Sequence, residues 1–99
     1  MAKGPNHLRF RGFLAFQILH ELRGKPLCGD DLASIIGQKK GSKLTPGTIY
    51  PALKFLRKEK LVQQKRNGRK KLYVLTPEGE AEYKAFKHQF KKMFKTIFG

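Results

Sequence analysis

A chain of 99 residues with 22 Lys and Arg against 7 Asp and Glu carries a formal net charge of +15, so its natural partner is a polyanion, either nucleic acid or an anionic membrane surface. That length holds one domain with one core and little room for a second pocket. The single cysteine, Cys28, excludes an intrachain disulfide and a thiolate zinc cluster and fits a reducing cytoplasm.

The polar start from Met1 to His7 argues against a signal peptide, and the first apolar stretch, Phe10 to Leu22, is broken by Arg11, Gln17, His20 and Glu21, which rules out a spanning helix there. Residues 9–22 read as a first helix, because Phe10, Leu14, Ile18 and Leu22 recur every fourth position. Phe13, Phe16, Leu19 and His20 form a second strip beside that stripe, a surplus that calls for a partner helix. Gly24 and Pro26 end the helix. A second helix is expected from about Asp30, with Asp30 and Asp31 in its first turn and Leu32, Ile35 and Ile36 facing inward. The glycine- and lysine-rich segment 37–42 is a turn.

In a third helix Thr45 is the expected N-cap and Pro46 the first-turn residue, while Ile49, Ala52, Leu53 and Leu56 make its buried stripe. Thr48, Tyr50, Lys54 and Arg57 then project from the other faces. Pro51 conflicts with this pattern, since an interior proline costs about 3 kcal/mol, so a bend or a non-standard first turn is expected, which would put the helix boundary at Thr48. Two short strands follow at 61–66 and 71–76, with Tyr73 and Leu75 on one face and Asn67-Gly68 as the hairpin turn. Thr76-Pro77 repeats the earlier Thr-Pro opening and starts a last helix to about Phe98. Within it Tyr83, Phe86, Phe90, Met93 and Ile97 follow a 3-4-3-4 spacing flanked by Phe94 and Phe98, a seam longer than a small core can cover.

A capped helix followed by a basic hairpin is the order of a winged helix-turn-helix: mainly α, with a two-stranded β-wing. The helix lies in the major groove of DNA and the hairpin tip follows the backbone. The domain reading is therefore 1–76 for the winged helix-turn-helix and 77–99 for a C-terminal dimerisation helix, in one compact unit. The segment 62–76 bears Lys65, Arg66, Arg69, Lys70 and Lys71 and no acid, and the segment 84–99 is also cationic throughout. The predicted DNA-binding set is Lys43, Thr45, Gly47, Thr48, Tyr50, Lys54, Arg66, Arg69, Lys70 and Lys71. First-turn amides, hydroxyls and the phenol serve phosphates, Lys54 a base edge or the backbone, and the wing cations phosphates or the minor groove. Lys39, Lys40 and Lys43 are weaker candidates for the same backbone.

The strings Leu44-Thr-Pro-Gly-Thr-Ile-Tyr-Pro-Ala-Leu-Lys54 and Gly68-Arg-Lys-Lys-Leu-Tyr-Val-Leu-Thr-Pro-Glu-Gly79 resemble those of the PadR family of transcriptional regulators, and the likeness runs from the first helix through the wing to the last helix. The resemblance implies a cytoplasmic, nucleoid-associated homodimer whose C-terminal helix packs on its partner. It also implies binding to an inverted repeat, usually to repress. The short chain and single final helix look like the family's compact branch. Many relatives sense a small molecule, but no ligand motif carries over, and no cofactor is expected.

For the tail, a dimer seam and an amphipathic helix lying on an anionic membrane are the competing readings. The dimer uses both surpluses at once, through Phe13, Phe16, Tyr83, Phe86, Phe90, Met93, Phe94 and Ile97. His7, His20 and His88 lack metal-ligand spacing, and a surface or interface place is expected for them. Cys28 reads as a small buried residue, with a redox-sensing thiol as the alternative. Neither paired carboxylates nor a Ser/His/Asp set is present, so no enzyme is expected. The sequence thus points to a sequence-specific regulator of transcription. Its rival is an architectural protein that coats DNA without sequence preference.

Overall fold

The computed structural model describes residues 5–98, with side chains from residue 12 onward. Helix α1 spans Pro5–Leu22, strand β1 Leu27–Cys28, α2 Gly29–Gln38, α3 Pro46–Lys58, β2 Val62–Asn67, β3 Lys70–Leu75 and α4 Pro77–Phe98. Helix α1 begins four residues before the expected Arg9, opening on Pro5, whose missing N–H would have had no helical partner there. The expected inward place of Phe10 and the surface place of His7 concern side chains outside those described.

The core is where the helical stripes meet. Ile18, Leu19 and Leu22 of α1, Leu32 and Ile36 of α2, and Ile49, Leu53 and Leu56 of α3 are all buried against Val62, Tyr73 and Tyr83. Each such Leu or Ile contributes about 1.5–3 kcal/mol of burial. Leu19, assigned from the sequence to the surplus strip of α1, belongs to this core. It lies next to Ile18 on a helix that buries a broad face rather than a narrow stripe.

The wing has its two expected strands, β2 and β3, and a third joins them in the sheet. Strand β1 pairs antiparallel with β3 through Leu27↔Tyr73 and Cys28↔Leu72, giving the order β1-β3-β2. Two residues cannot display a period-two alternation, so β1 exists only through its neighbour. The wing turn also moves by one residue. Asn67 pairs with Lys70, and Gly68-Arg69 are the central residues, with positive φ at Gly68 alone. Glycine at the first central position suits a type II′ hairpin, whereas a turn centred on Asn67-Gly68 would need positive φ at both.

Helix α3 is assigned without a break from Pro46, so the delayed start at Thr48 does not occur. The Thr45 carbonyl accepts from both the Thr48 and Ile49 amides at 2.9 and 3.0 Å, a tightened first turn completed before Pro51 is reached. The two Thr-Pro openings differ in use. Thr76 Oγ1 accepts from the Gly79 amide at 2.9 Å and donates to the Lys60 carbonyl at 2.8 Å, while the Thr76 amide donates to the Leu61 carbonyl at 3.1 Å. These bonds fasten the start of α4 to the turn between α3 and β2. Gly79 packs so closely there that a Cβ would fall on the Leu61 carbonyl oxygen.

Candidate nucleic-acid interface

Burying Ile49, Ala52, Leu53 and Leu56 leaves the opposite side of α3 in solvent: Thr45, Pro46, Gly47, Thr48, Tyr50, Pro51, Lys54 and Arg57 are all exposed. The helix packs on α2 and on β2, so it is presented with the wing strand at its flank. Arg66, Arg69, Lys70 and Lys71 are exposed on that wing. The register sets Arg66 opposite Lys71, a like-charge pair that disfavours the hairpin by roughly 0.2–1 kcal/mol unless an anion lies between or beside them.

Some of the cations hold a carboxylate, whereas others, on this surface and also along α4 at Lys87, Lys91, Lys92 and Lys95, have none among the described residues. Arg23 holds Glu80 through two bonds of 3.0 Å, Lys39 reaches Glu21 at 2.8 Å, Lys43 reaches Asp30 at 2.7 Å, and Lys84 lies near Glu80 at 3.6 Å. Among the described residues no carboxylate pairs with Lys54, Arg66, Arg69, Lys70 or Lys71. Three lysines of the sequence reading have partners within the chain. Lys43 is tied to Asp30, whose hydrogen bond and charge hold its ammonium pKa above the usual value. Lys39 is taken up by Glu21, and Lys40 lies over the Phe13 ring at 5.9 Å.

Thr45 occupies the N-cap position but its side chain caps no amide; its hydroxyl is hydrogen-bonded to that of Thr48 at 3.1 Å. The pair of hydroxyls stays at the surface, at the positive end of the helix dipole. Tyr50 is 44% exposed and leans on the start of α2. Burial of the rest of its ring pushes the phenol pKa up, so it is a neutral hydrogen-bond donor at ordinary pH. Two residues that sequence reasoning did not place here support the site from α2: Asp30, which holds Lys43, and Gly29, beneath the Tyr50 ring. Cys28 is half-buried rather than buried, and it is the N-cap of α2, its Sγ accepting from the Asp31 amide at 3.4 Å.

A second unused surface lies along α4. Phe16 stacks on Tyr83 with centroids 5.0 Å apart, and Phe86, Phe90, Phe94 and Phe98 continue as a ladder of rings toward the end of the helix. Phe13, Met93, Phe94, Ile97 and Phe98 remain exposed. Tyr83 is a correction: at 2% exposure it lies inside the chain, its hydroxyl 2.8 Å from His20 Nδ1, and offers nothing to a partner. Its seam spacing is real, but the first turns of α4 are already covered by α1. His20 and His88 are both exposed. No helix among the described residues is long and apolar enough to cross a membrane, and among them no cluster of His, Cys, Asp or Glu could hold a metal ion.

An exposed helix following a short turn, flanked by a basic β-hairpin, defines a DNA-binding protein of the winged-helix class. The chain belongs to the PadR-like family of transcriptional regulators, whose family model matches residues 18–85. As a member of that family it is a transcriptional regulator and not an enzyme. No curated protein matches the sequence closely enough to count as a relative. Among solved structures, a PadR-like transcriptional regulator from Bacillus cereus superposes with a TM-score of 0.79 at 26% identity, over 94% of this chain and 93% of that one. A PadR family regulator from Clostridium difficile gives 0.73 at 25% identity, over 88% and 99% of the two chains. A transcriptional regulator from Clostridium thermocellum gives 0.78 at 24% identity over 89% of each, a likeness of fold.

Proposed function

We propose that this regulator acts as a homodimer on an inverted repeat and represses transcription in the cytoplasm, associated with the nucleoid. Residues 1–76 form the DNA-reading unit and residues 77–99 the dimerisation helix. Helix α3 enters the major groove, with Lys54 reaching a base edge and Thr45, Gly47, Thr48 and Tyr50 serving phosphates. Arg66, Arg69, Lys70 and Lys71 hold the flanking backbone from the wing, and Lys43 joins them by exchanging Asp30 for a phosphate. Phe13, Phe86, Phe90, Met93, Phe94 and Ile97 meet the second copy, with Phe16 behind them. No effector is assigned.

The observation that carries this reading is placement: Lys54 and Arg57 stand on the solvent face of α3 and Arg66, Arg69, Lys70 and Lys71 on the wing at its flank, and among the described residues no carboxylate pairs with them. A reader of palindromes needs two such surfaces at half-sites about 34 Å apart, and the exposed apolar end of α4 supplies a means of joining them. The test is repeated selection from random duplex DNA. An enriched inverted repeat with that spacing is expected. Equal retention of all sequences would replace the reading by one in which the protein coats DNA indifferently.

A further inference from the structure

We infer that Gly29 is a positioning residue for DNA recognition: the missing side chain at the start of α2 leaves the space in which the Tyr50 ring rests, and so aims the Tyr50 hydroxyl. This rests on the reading of α3 given above. A Cβ built on Gly29 would stand 2.7 Å from both Cε1 and Oη of Tyr50 and 2.8 Å from Cζ, closer than non-bonded atoms approach. The ring edge therefore occupies the volume that any other residue would fill.

Gly29 itself is buried, yet it is the first residue of α2, behind the Cys28 cap, where the helix gains nothing from glycine. Glycine is a poorer helix residue than alanine, so helix formation does not explain its presence. Contact with Tyr50 does. Among the described residues the Tyr50 hydroxyl makes no hydrogen bond within the chain, so packing on Gly29 holds the ring while leaving its donor unused. The Asp30–Lys43 bridge at 2.7 Å lies alongside and steadies the same end of α2 against the approach to α3. A neutral phenol fixed in this way suits a phosphate oxygen or a base acceptor.

The displaced atoms are the far end of a half-exposed side chain, not backbone. In Gly29→Ala the ring can swing into solvent, so the fold is kept while the aim is lost. The expected result is an unchanged or slightly raised Tm together with about a tenfold weaker affinity for the selected duplex, the scale of one good hydrogen bond. Because the phenol is uncharged, the slope of log affinity against log salt should stay as in wild type. In a Tyr50→Ala background the same glycine change should have no further effect on DNA binding, since nothing is left to misdirect.

The four proteins of this cycle are measured on the selected duplex and on a scrambled duplex of equal length. Loss in Tyr50→Ala and in Gly29→Ala, with no added loss in the double variant, supports the inference. Loss in Tyr50→Ala alone overturns it while leaving the DNA-reading role of α3 intact. Full binding in Tyr50→Ala removes Tyr50 from the interface and overturns it through the underlying reading. A marked fall in Tm or failure to fold in Gly29→Ala, or equal added losses in both backgrounds, would make Gly29 a packing residue only.

Discussion

Replacing Phe94 and Ile97 together by serine removes the C-terminal end of the proposed dimer seam while sparing the part of α4 that packs on α1. Full burial of a Phe or Ile side chain is worth about 1.5–3 kcal/mol. With Phe94 57% and Ile97 63% exposed, each has roughly 1–2 kcal/mol left to gain from a partner. A symmetric pair buries both residues twice, so the double change withdraws about 5 kcal/mol of association energy. At 1.4 kcal/mol per decade, the dimer dissociation constant should rise by between roughly three and four orders of magnitude. Tyr83, Phe86 and Phe90 keep their contacts with α1, so each protomer should remain folded. Sedimentation equilibrium over a wide concentration series reads the shift, and circular dichroism checks the fold. Unchanged association in a folded variant would refute the seam, as would a wild-type chain that stays monomeric throughout.

Gly79→Ala should destabilise by about 1–3 kcal/mol in chemical denaturation, because the added methyl meets the Leu61 carbonyl, which is backbone and cannot swing aside. A negligible change would mean that the start of α4 is not fastened as described. The Arg23–Glu80 link predicts a dependence on pH. Hydrogen bonding to the Arg23 guanidinium, aided by its charge, holds the Glu80 carboxyl below its ordinary value of 4.5, so the folded pKa lies under the unfolded one. The contribution to stability is then complete above pH 4.5 and fades as pH falls through the folded value. Glu80→Gln should be less stable than wild type near neutrality, and denaturation curves of the two should converge in acid. A gap that persists or grows on acidification would contradict this.

The interface was legible in the sequence where chemistry is local. Thr45-Pro46 opens a helix, the apolar stripe of α3 is buried as its spacing predicts, and a basic glycine turn caps a hairpin. What could not be read depends on neighbours distant in sequence. Strand β1 is two residues that become a strand by pairing with Leu72 and Tyr73. Tyr83 fits a seam by period but is claimed by Phe16 and His20, which lie across the fold. Lys43 reads as free until Asp30 is brought within 2.7 Å. Gly29 has one clue, a glycine in the first turn of a helix where alanine would serve the helix better, but its reason, the Tyr50 ring, comes from another element.

In the proposed complex the exposed face of α3 reads bases while the wing only grips the backbone. The most direct test is the ratio of affinities for the selected duplex and its scrambled counterpart, compared between wild type and Lys54→Ala with Lys70→Ala as control. Lys54→Ala should lower that ratio by the equivalent of about 1–3 kcal/mol. Lys70→Ala should weaken both duplexes alike and reduce the salt slope by about 0.9. A ratio untouched by Lys54→Ala, with both affinities falling in parallel, would contradict base reading by α3.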